Sequence, residues 1–288
     1  MKIIKNPEQL SLLLARERSR GKTIGFVPTM GALHEGHLSL VRAAKRENDL
    51  VVVSIFVNPT QFGPREDLKK YPRVFKQDSR LLKKGGADYL FYPSVKAMYP
   101  EGLDRPLVIR GATWPQIARN LCGKFRPGHF QGVVTVVSKL LGITGDCRLY
   151  LGAKDYQQAA VLTRMVRDLG LKVRVRMMPT VREKDGLAMS SRNRYLLPRE
   201  RARALAISKT LKGIKREIRA GKVPIGVLKA KYRKALERSV DRIQYLEIVD
   251  AETLRPAVSR RAHLVALAAC FVGKTRLIDN VIIQPRRQ

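Results

Sequence analysis

His34 and His37 stand three residues apart in the stretch PTMGALHEGHLSLV, residues 28–41, and they are half of the chain's four histidines. At helical spacing the two imidazoles share one face of a first turn. Gly36 puts no Cβ between them, so a flat base or a phosphate can come close. A helix N-terminus there adds partial positive charge and open N–H donors, both suited to phosphate. Two histidines could equally sit at an ordinary solvated helix start. Metal ligation is a weaker reading, because a zinc set needs a third ligand nearby and the stretch supplies none.

Three more stretches carry groups of the same kind. VNPTQFG (57–63) offers the uncharged Asn58 and Gln61, which can read a hydroxyl or a carboxylate; an Asn-Pro turn is the plain alternative. GAKDYQQA (152–159) places Lys154, Asp155 and Gln158 at a junction of strand and helix. A lysine there can hold polyphosphate as a point charge, while Asp155 could simply cap the helix. AMSSRNRYL (188–196) brings hydroxyls and a guanidinium into one loop that could close over a polyphosphate or be an ordinary polar connection. RPGHF (126–130) adds Arg126 and His129.

The elements that must position these groups alternate in the first part of the chain. Strands are expected at 22–29, 50–57, 87–93, 147–152 and 171–178, and helices at 35–47, 132–143 and 155–170. A basic amphipathic stretch covers 66–84, and a surface helix at the N-terminus precedes the first strand. LVVVSIFV (50–57) is a continuous apolar run, the kind buried on both faces of a parallel sheet. Repeated β-then-α units imply an α/β doubly wound parallel sheet, whose ligands bind outside the carboxyl ends of the strands. Each candidate stretch except the Ser-Ser-Arg loop and RPGHF follows such a strand. Past Pro179 the pattern changes to helices at 198–221 and 225–239, then strands at 242–250, 263–271 and 275–284. The expected division is therefore 1–180 and a smaller α+β domain, 181–288.

Composition narrows the class. The chain has 288 residues, 44% of them hydrophobic, enough for a sizeable core. No apolar run approaches the roughly 20 residues that span a bilayer, and the N-terminus lacks the pattern of a signal peptide. Three dispersed cysteines without a CxxC argue against a disulfide framework and against structural zinc, and fit a reducing cytoplasm. Lys plus Arg outnumber Asp plus Glu by 57 to 24, a formal charge of +33. The basic residues are scattered along the chain with no RNA- or DNA-binding signature, which fits a solvated surface with incidental polyanion binding at low salt. A nucleic-acid-binding protein built on an old enzyme fold is the contrasting reading.

Taken together and in order, PTMGALHEGH, SIFVNPTQF, the YPR at 71–73, RPGHFQGV, KDYQQ, DGLAMSSRNRYL and RLIDN (276–280) resemble the pantoate–β-alanine ligases, members of the HIGH-motif nucleotidyltransferase superfamily. The resemblance spans nearly the whole chain. It implies a Rossmann-like nucleotide- and pantoate-binding domain with a C-terminal lid. The implied reaction is an ATP-dependent ligation through pantoyl adenylate, with Mg²⁺ on the ATP phosphates and no protein-held metal. It further implies β-alanine as second substrate, a homodimer and the cytoplasm. By the same resemblance, Met30, His34, His37, Lys154, Asp155, Ser190, Ser191 and Arg192 bind ATP, and all of these except Met30 and Asp155 are catalytic. Gln61 and Gln158 hold pantoate. Asn58, Arg126, His129 and Asp78 are further contributors, Asp78 matching an acid near the metal region. Another nucleotidyltransferase of the superfamily is disfavoured by Gln61, Gln158 and KDYQQ. The chain departs from the family pattern at Ala153, where Glu is usual before the Lys-Asp pair, at Cys122 in place of Glu, and at Thr60 in place of Met.

Overall fold

The computed structural model describes residues 1–64, 66–103, 106–108, 111–221, 223–260 and 262–284. The chain divides into two compact units. The first comprises Met1–Gln116, Arg126–Gly152 and Val161–Pro179; the second comprises Ile117–Phe125, Ala153–Ala160 and Thr180–Gln288.

The first unit holds β1 (Lys2–Ile4), α1 (Pro7–Ser19), β2 (Ile24–Thr29), α2 (Glu35–Glu47), β3 (Leu50–Ile55), α3 (Phe75–Lys84), β4 (Tyr89–Phe91) and α4 (Val95–Met98). The short α5 (Trp114–Ala118) begins in it, and α7 (His129–Thr144), β5 (Cys147–Gly152), most of α8 (Tyr156–Asp168) and β6 (Val173–Met178) complete it. The strands form one parallel sheet in the order β1-β4-β3-β2-β5-β6. This is the doubly wound, Rossmann-like arrangement expected from the alternation of elements. The N-terminus differs from expectation: Lys2–Ile4 is an edge strand paired in parallel with Tyr89–Phe91, and the helix follows it. The basic 66–84 stretch also becomes helix only from Phe75.

The strand order reverses between β2 and β5, the place where open α/β sheets bind ligands. Here β2 pairs with β5 only at Gly25 and Phe26. Pro28 has no N–H to continue a ladder on that side, while β2 stays paired with β3 as far as Thr29. Val27, Leu40, Val41, Val51, Val53 and Leu90 fill a core between this part of the sheet and α2. α7 is apolar almost all round and is buried along most of its length, as a helix inside a core must be.

The second unit contains α6 (Cys122–Phe125), α9 (Pro198–Ala220), α10 (Ile225–Glu237) and an antiparallel sheet of β7 (Arg242–Asp250), β8 (Leu264–Val272) and β9 (Thr275–Ile283). Apolar residues of α9 and α10 close on one face of this sheet, with Leu211, Leu228, Leu236, Leu246 and Leu264 wholly buried. No helix of the described residues is long and apolar enough to cross a membrane.

One close approach in the first unit sets the position of a candidate residue. α7 crosses the 3₁₀ turn Pro59–Gln61 at Gly132, where a Cβ would lie 2.3 Å from the Thr60 carbonyl oxygen and 2.7 Å from the Gln61 nitrogen. Both are backbone atoms and cannot swing away. Gly142, in the same helix, has open space around it. Gly132→Ala is therefore expected to destabilise the protein by about 1–3 kcal/mol through overpacking, and Gly142→Ala to be neutral or slightly stabilising; urea unfolding of the two variants checks this.

Candidate active site

In the first unit the chain leaves β2 through a turn that is costly for L-residues. Gly31 has φ +79° and Ala32 has φ +50°, with the Ala32 side chain fully buried. The carboxylate of Asp78, on α3 and itself buried, accepts the N–H of Ala32 at 2.9 Å and of Leu33 at 2.8 Å. Thr29 Oγ1 donates to the Ser54 carbonyl at 2.7 Å and accepts the Gly31 N–H at 3.2 Å. The acid expected near a metal thus holds the turn, with both oxygens on backbone amides.

The turn delivers His34 as the N-cap of α2. Its Nδ1 accepts the Gly36 N–H at 3.1 Å, and His37 Nδ1 accepts the His34 N–H at 3.3 Å, a reciprocal capping box made of two imidazoles. Each Nδ1 is an acceptor, so the neutral rings carry their proton on Nε2. The ring centroids lie 4.1 Å apart. The backbone therefore fixes two adjacent N–H donors at a helix N-terminus.

Gln61 sits beside this group: its Nε2 lies 2.7 Å from Met30 Sδ. Asn58 is buried and committed, donating to Gly132 O at 3.2 Å and to Thr60 Oγ1 at 3.0 Å while accepting from Tyr99 Oη at 2.7 Å. Thr60 is thereby part of the same network. Arg126 forms a fork on Glu66, with Nε–Oε1 and Nη2–Oε2 both 2.6 Å. Its Nη1 lies 2.9 Å from His129 Nε2, and His129 Nδ1 lies 2.8 Å from Gln61 O. A carbonyl can only accept, so His129 is protonated on Nδ1, the opposite tautomer to His34 and His37. Arg126 and His129 hold the Gln61 backbone. Glu66 and Tyr99 escape a reading of the sequence, since neither lies in a recognisable motif.

In the second unit Lys154 Nζ lies 3.4 Å from Asp155 Oδ1 in the 3₁₀ turn Ala153–Asp155. Of the paired glutamines, Gln157 is buried. Its amide donates to Ile117 O at 2.9 Å and Asn120 O at 2.7 Å, and it accepts the Cys122 N–H at 2.9 Å. Gln158 stays half-buried on the next position. Cys122 sits with its sulfur 3.0 Å from Tyr245 Oη and 3.3 Å from Arg276 Nη2. Ser190 caps the 3₁₀ turn Ser191–Tyr195 through the Arg192 N–H. Asn193, buried, donates to Glu183 Oε1 at 2.6 Å and to Ala188 O at 3.0 Å.

The family model for pantoate-beta-alanine ligase matches residues 2–282. The chain belongs to that family. Among its relatives, the pantothenate synthetase of Sulfurihydrogenibium sp. is 48% identical over 98% of this chain and 99% of its own. Pantothenate synthetase 1 of Bradyrhizobium diazoefficiens is 51% identical, with 98% of each chain covered. The crystal structure of the Thermus thermophilus pantothenate synthetase superposes with a TM-score of 0.91 at 43% identity, over 99% of this chain and 100% of that one. A Francisella tularensis pantoate-beta-alanine ligase, crystallised with a β,γ-ATP compound and β-alanine, gives 0.79 at 37% identity, over 98% and 97%. This ligase is thus an enzyme that joins pantoate to β-alanine, and the expected family and fold hold.

The Glu66–Arg126 fork carries a pH dependence. Burial pushes the Glu66 carboxyl up, but the Arg126 guanidinium more than offsets this, so its pKa lies below the ordinary value of 4.5. A carboxyl depressed in the folded state lends stability above its unfolded pKa and loses it as pH falls through the folded one. Wild type is expected to unfold at a higher temperature than Glu66→Gln at pH 7, with the gap closing below about pH 4; thermal scans of both proteins across pH check it.

Proposed function

We propose that the reaction runs through pantoyl adenylate, as the family resemblance implies. A pantoate carboxylate oxygen attacks the α-phosphorus of ATP and pyrophosphate leaves. The β-alanine nitrogen then attacks the acyl carbon, the bond to AMP breaks, and pantothenate is formed. Adenylation turns a carboxylate oxygen, a poor leaving group, into AMP. The protein's task is mostly to position reactants and to neutralise charge at the α-phosphate.

The observation that carries this reading is the pair of Nε2 protons that the α2 backbone imposes on His34 and His37. Donors held in place before the substrate arrives need no reorganisation when phosphoryl charge develops. Lys154, Ser190, Ser191 and Arg192 supply further cationic and hydroxyl groups for the triphosphate. Met30 lines the site, Asp155 orients Lys154, and Gln61 and Gln158 hold pantoate. Asp78, Asn58, Arg126 and His129 act by holding the His34 turn and the Gln61 backbone. The complex of the Francisella relative with a β,γ-ATP compound and β-alanine supports the choice of substrates.

Among the described residues no three His, Cys, Asp or Glu gather as a metal cluster. That donor set fits a cation held chiefly by the nucleotide, with Asp155 as the nearby carboxylate, as Mg²⁺ commonly is. Such a cation would neutralise phosphate charge. The same reading makes 181–288 a C-terminal lid domain and the protein a cytoplasmic homodimer. The +33 charge belongs to its solvated surface, so bound polyanions should be released by modest salt.

AMP release from ATP, with pantoate and β-alanine omitted in turn, tests the reading. Full turnover is expected to need both acids, and His37→Ala to lower kcat at least 100-fold, the scale of losing one oxyanion donor. AMP formation indifferent to pantoate would overturn it.

A further inference from the structure

The RLIDN segment on β9 has no role in the chemistry above, yet two adjacent residues of it hold two different segments of the second unit. Successive side chains of a strand point to opposite faces. From one face, Asn280 Nδ2 donates to the carbonyl oxygens of Ala153 and Lys154, each at 2.8 Å, and Asn280 is buried. One amide thus clasps the backbone of the residue proposed to carry the triphosphate's cationic partner. From the neighbouring position, the buried Asp279 carboxylate takes a fork from Arg182, with Nη1–Oδ2 at 2.7 Å and Nη2–Oδ1 at 2.9 Å. The same guanidinium donates to Gly186 O at 3.1 Å and to Asn280 O at 3.2 Å.

Arg182 opens a tight hairpin. It bridges Ala188, Glu183 N–H donates to Leu187 O at 2.8 Å, and Met189 N–H donates to Val181 O at 3.0 Å. Ser190, Ser191 and Arg192 follow at once, and Asn193 ties their turn back to Glu183. Arg201 on α9 braces the hairpin further, at 2.6 Å from both Glu183 and Asp185. The Lys154 junction and the Ser190–Arg192 loop are therefore fixed to consecutive residues of one strand.

We infer that Asn280 and Asp279 are positioning residues that set the spacing between Lys154 and the Ser190–Ser191–Arg192 loop, and so the fit of the triphosphate. This rests on the assignment of those groups to ATP. Neither residue touches substrate; each acts through a backbone segment. A misplacement near 1 Å in a site of this kind costs about 100-fold in rate.

The test uses Asn280→Ala for one arm and Asp279→Asn for the other, the latter keeping the shape and one acceptor oxygen for Arg182. ATP affinity by calorimetry, the KM values for ATP and β-alanine, and thermal unfolding are measured together. Each variant is expected to lose about 10- to 100-fold in kcat/KM for ATP and to bind ATP more weakly, with the β-alanine KM within about twofold of wild type. In a Lys154→Ala background Asn280→Ala should cost little more, while Asp279→Asn should keep its full effect; the pattern should reverse in Ser191→Ala. Such selective loss of additivity marks coupling through a shared segment. If Asn280→Ala does not fold, Asn280→Ser, whose hydroxyl can donate to one carbonyl, should give an intermediate ATP affinity. Unchanged ATP affinity in folded variants, or losses that add equally in both backgrounds, would overturn the inference. A wild type that binds ATP but makes no pantoate-dependent AMP would overturn the proposed reaction and leave this inference standing, because calorimetry reads the binding alone.

Discussion

A buried carboxylate holds the turn on which the histidine pair depends. Asp78 meets the N–H groups of Ala32 and Leu33 where Gly31 and Ala32 adopt positive φ. A left-handed alanine costs about 1–2 kcal/mol, and hydrogen bonds to a charged acceptor return about 1.5–3 kcal/mol each. The balance favours the turn while the carboxylate is present to accept both amides. What the turn achieves is angular: it brings His34 in with extended backbone as an N-cap, so that ring nitrogens take the amide protons that a serine or aspartate would otherwise take. Capping and tautomer selection are thus one event. The acid does its work from α3, some forty residues away in the chain.

The remaining groups of the first unit follow the same principle, in which side chains are spent on backbone so that a few others stay correctly aimed. Asn58 and the Glu66–Arg126–His129 chain end on the 59–61 turn. Gly132 lets α7 press directly on it. The outcome is a Gln61 whose main chain is clamped from two sides while its amide is left beside Met30. The short β2–β5 ladder, ended by Pro28, belongs to the same logic, because it releases β2 from β5 ahead of the His34 turn while β3 stays paired with it as far as Thr29.

Much of this is legible in the sequence for a physical reason. Apolar runs such as 50–57 and the alternation of strand and helix report burial, which is a local property of composition and period. Motif residues such as His34, His37 and Lys154 report themselves because glycines and caps around them are local too. Lys2–Ile4 is not legible, because three residues with one buried side chain have no period to read; pairing with Tyr89–Phe91 makes them a strand. The contacts of Glu66, Tyr99 and Asp78 are hidden for a related reason. Their meaning lies in partners 41 to 60 positions away, and single-chain spacing carries no information about which distant amide a carboxylate will meet.

The surroundings of Cys122 and Ala153 follow the same terms. At Cys122 the sulfur faces Arg276 and Tyr245, so the guanidinium has a polar contact there rather than a charge partner, and its Nε donates to Gln244 Oε1 at 2.7 Å. Burial drives the Tyr245 hydroxyl well above its ordinary pKa, with the neighbouring Cys122 adding to the shift. Ala153 is buried, and its carbonyl is clasped by Asn280. A glutamate introduced at 153 would have to desolvate its charge or find a cation within the second unit. Asn280 and Asp279 hold the Lys154 junction and the Arg182 hairpin, and the Asn280 contact at Ala153 is to the carbonyl, so it does not depend on which side chain stands there.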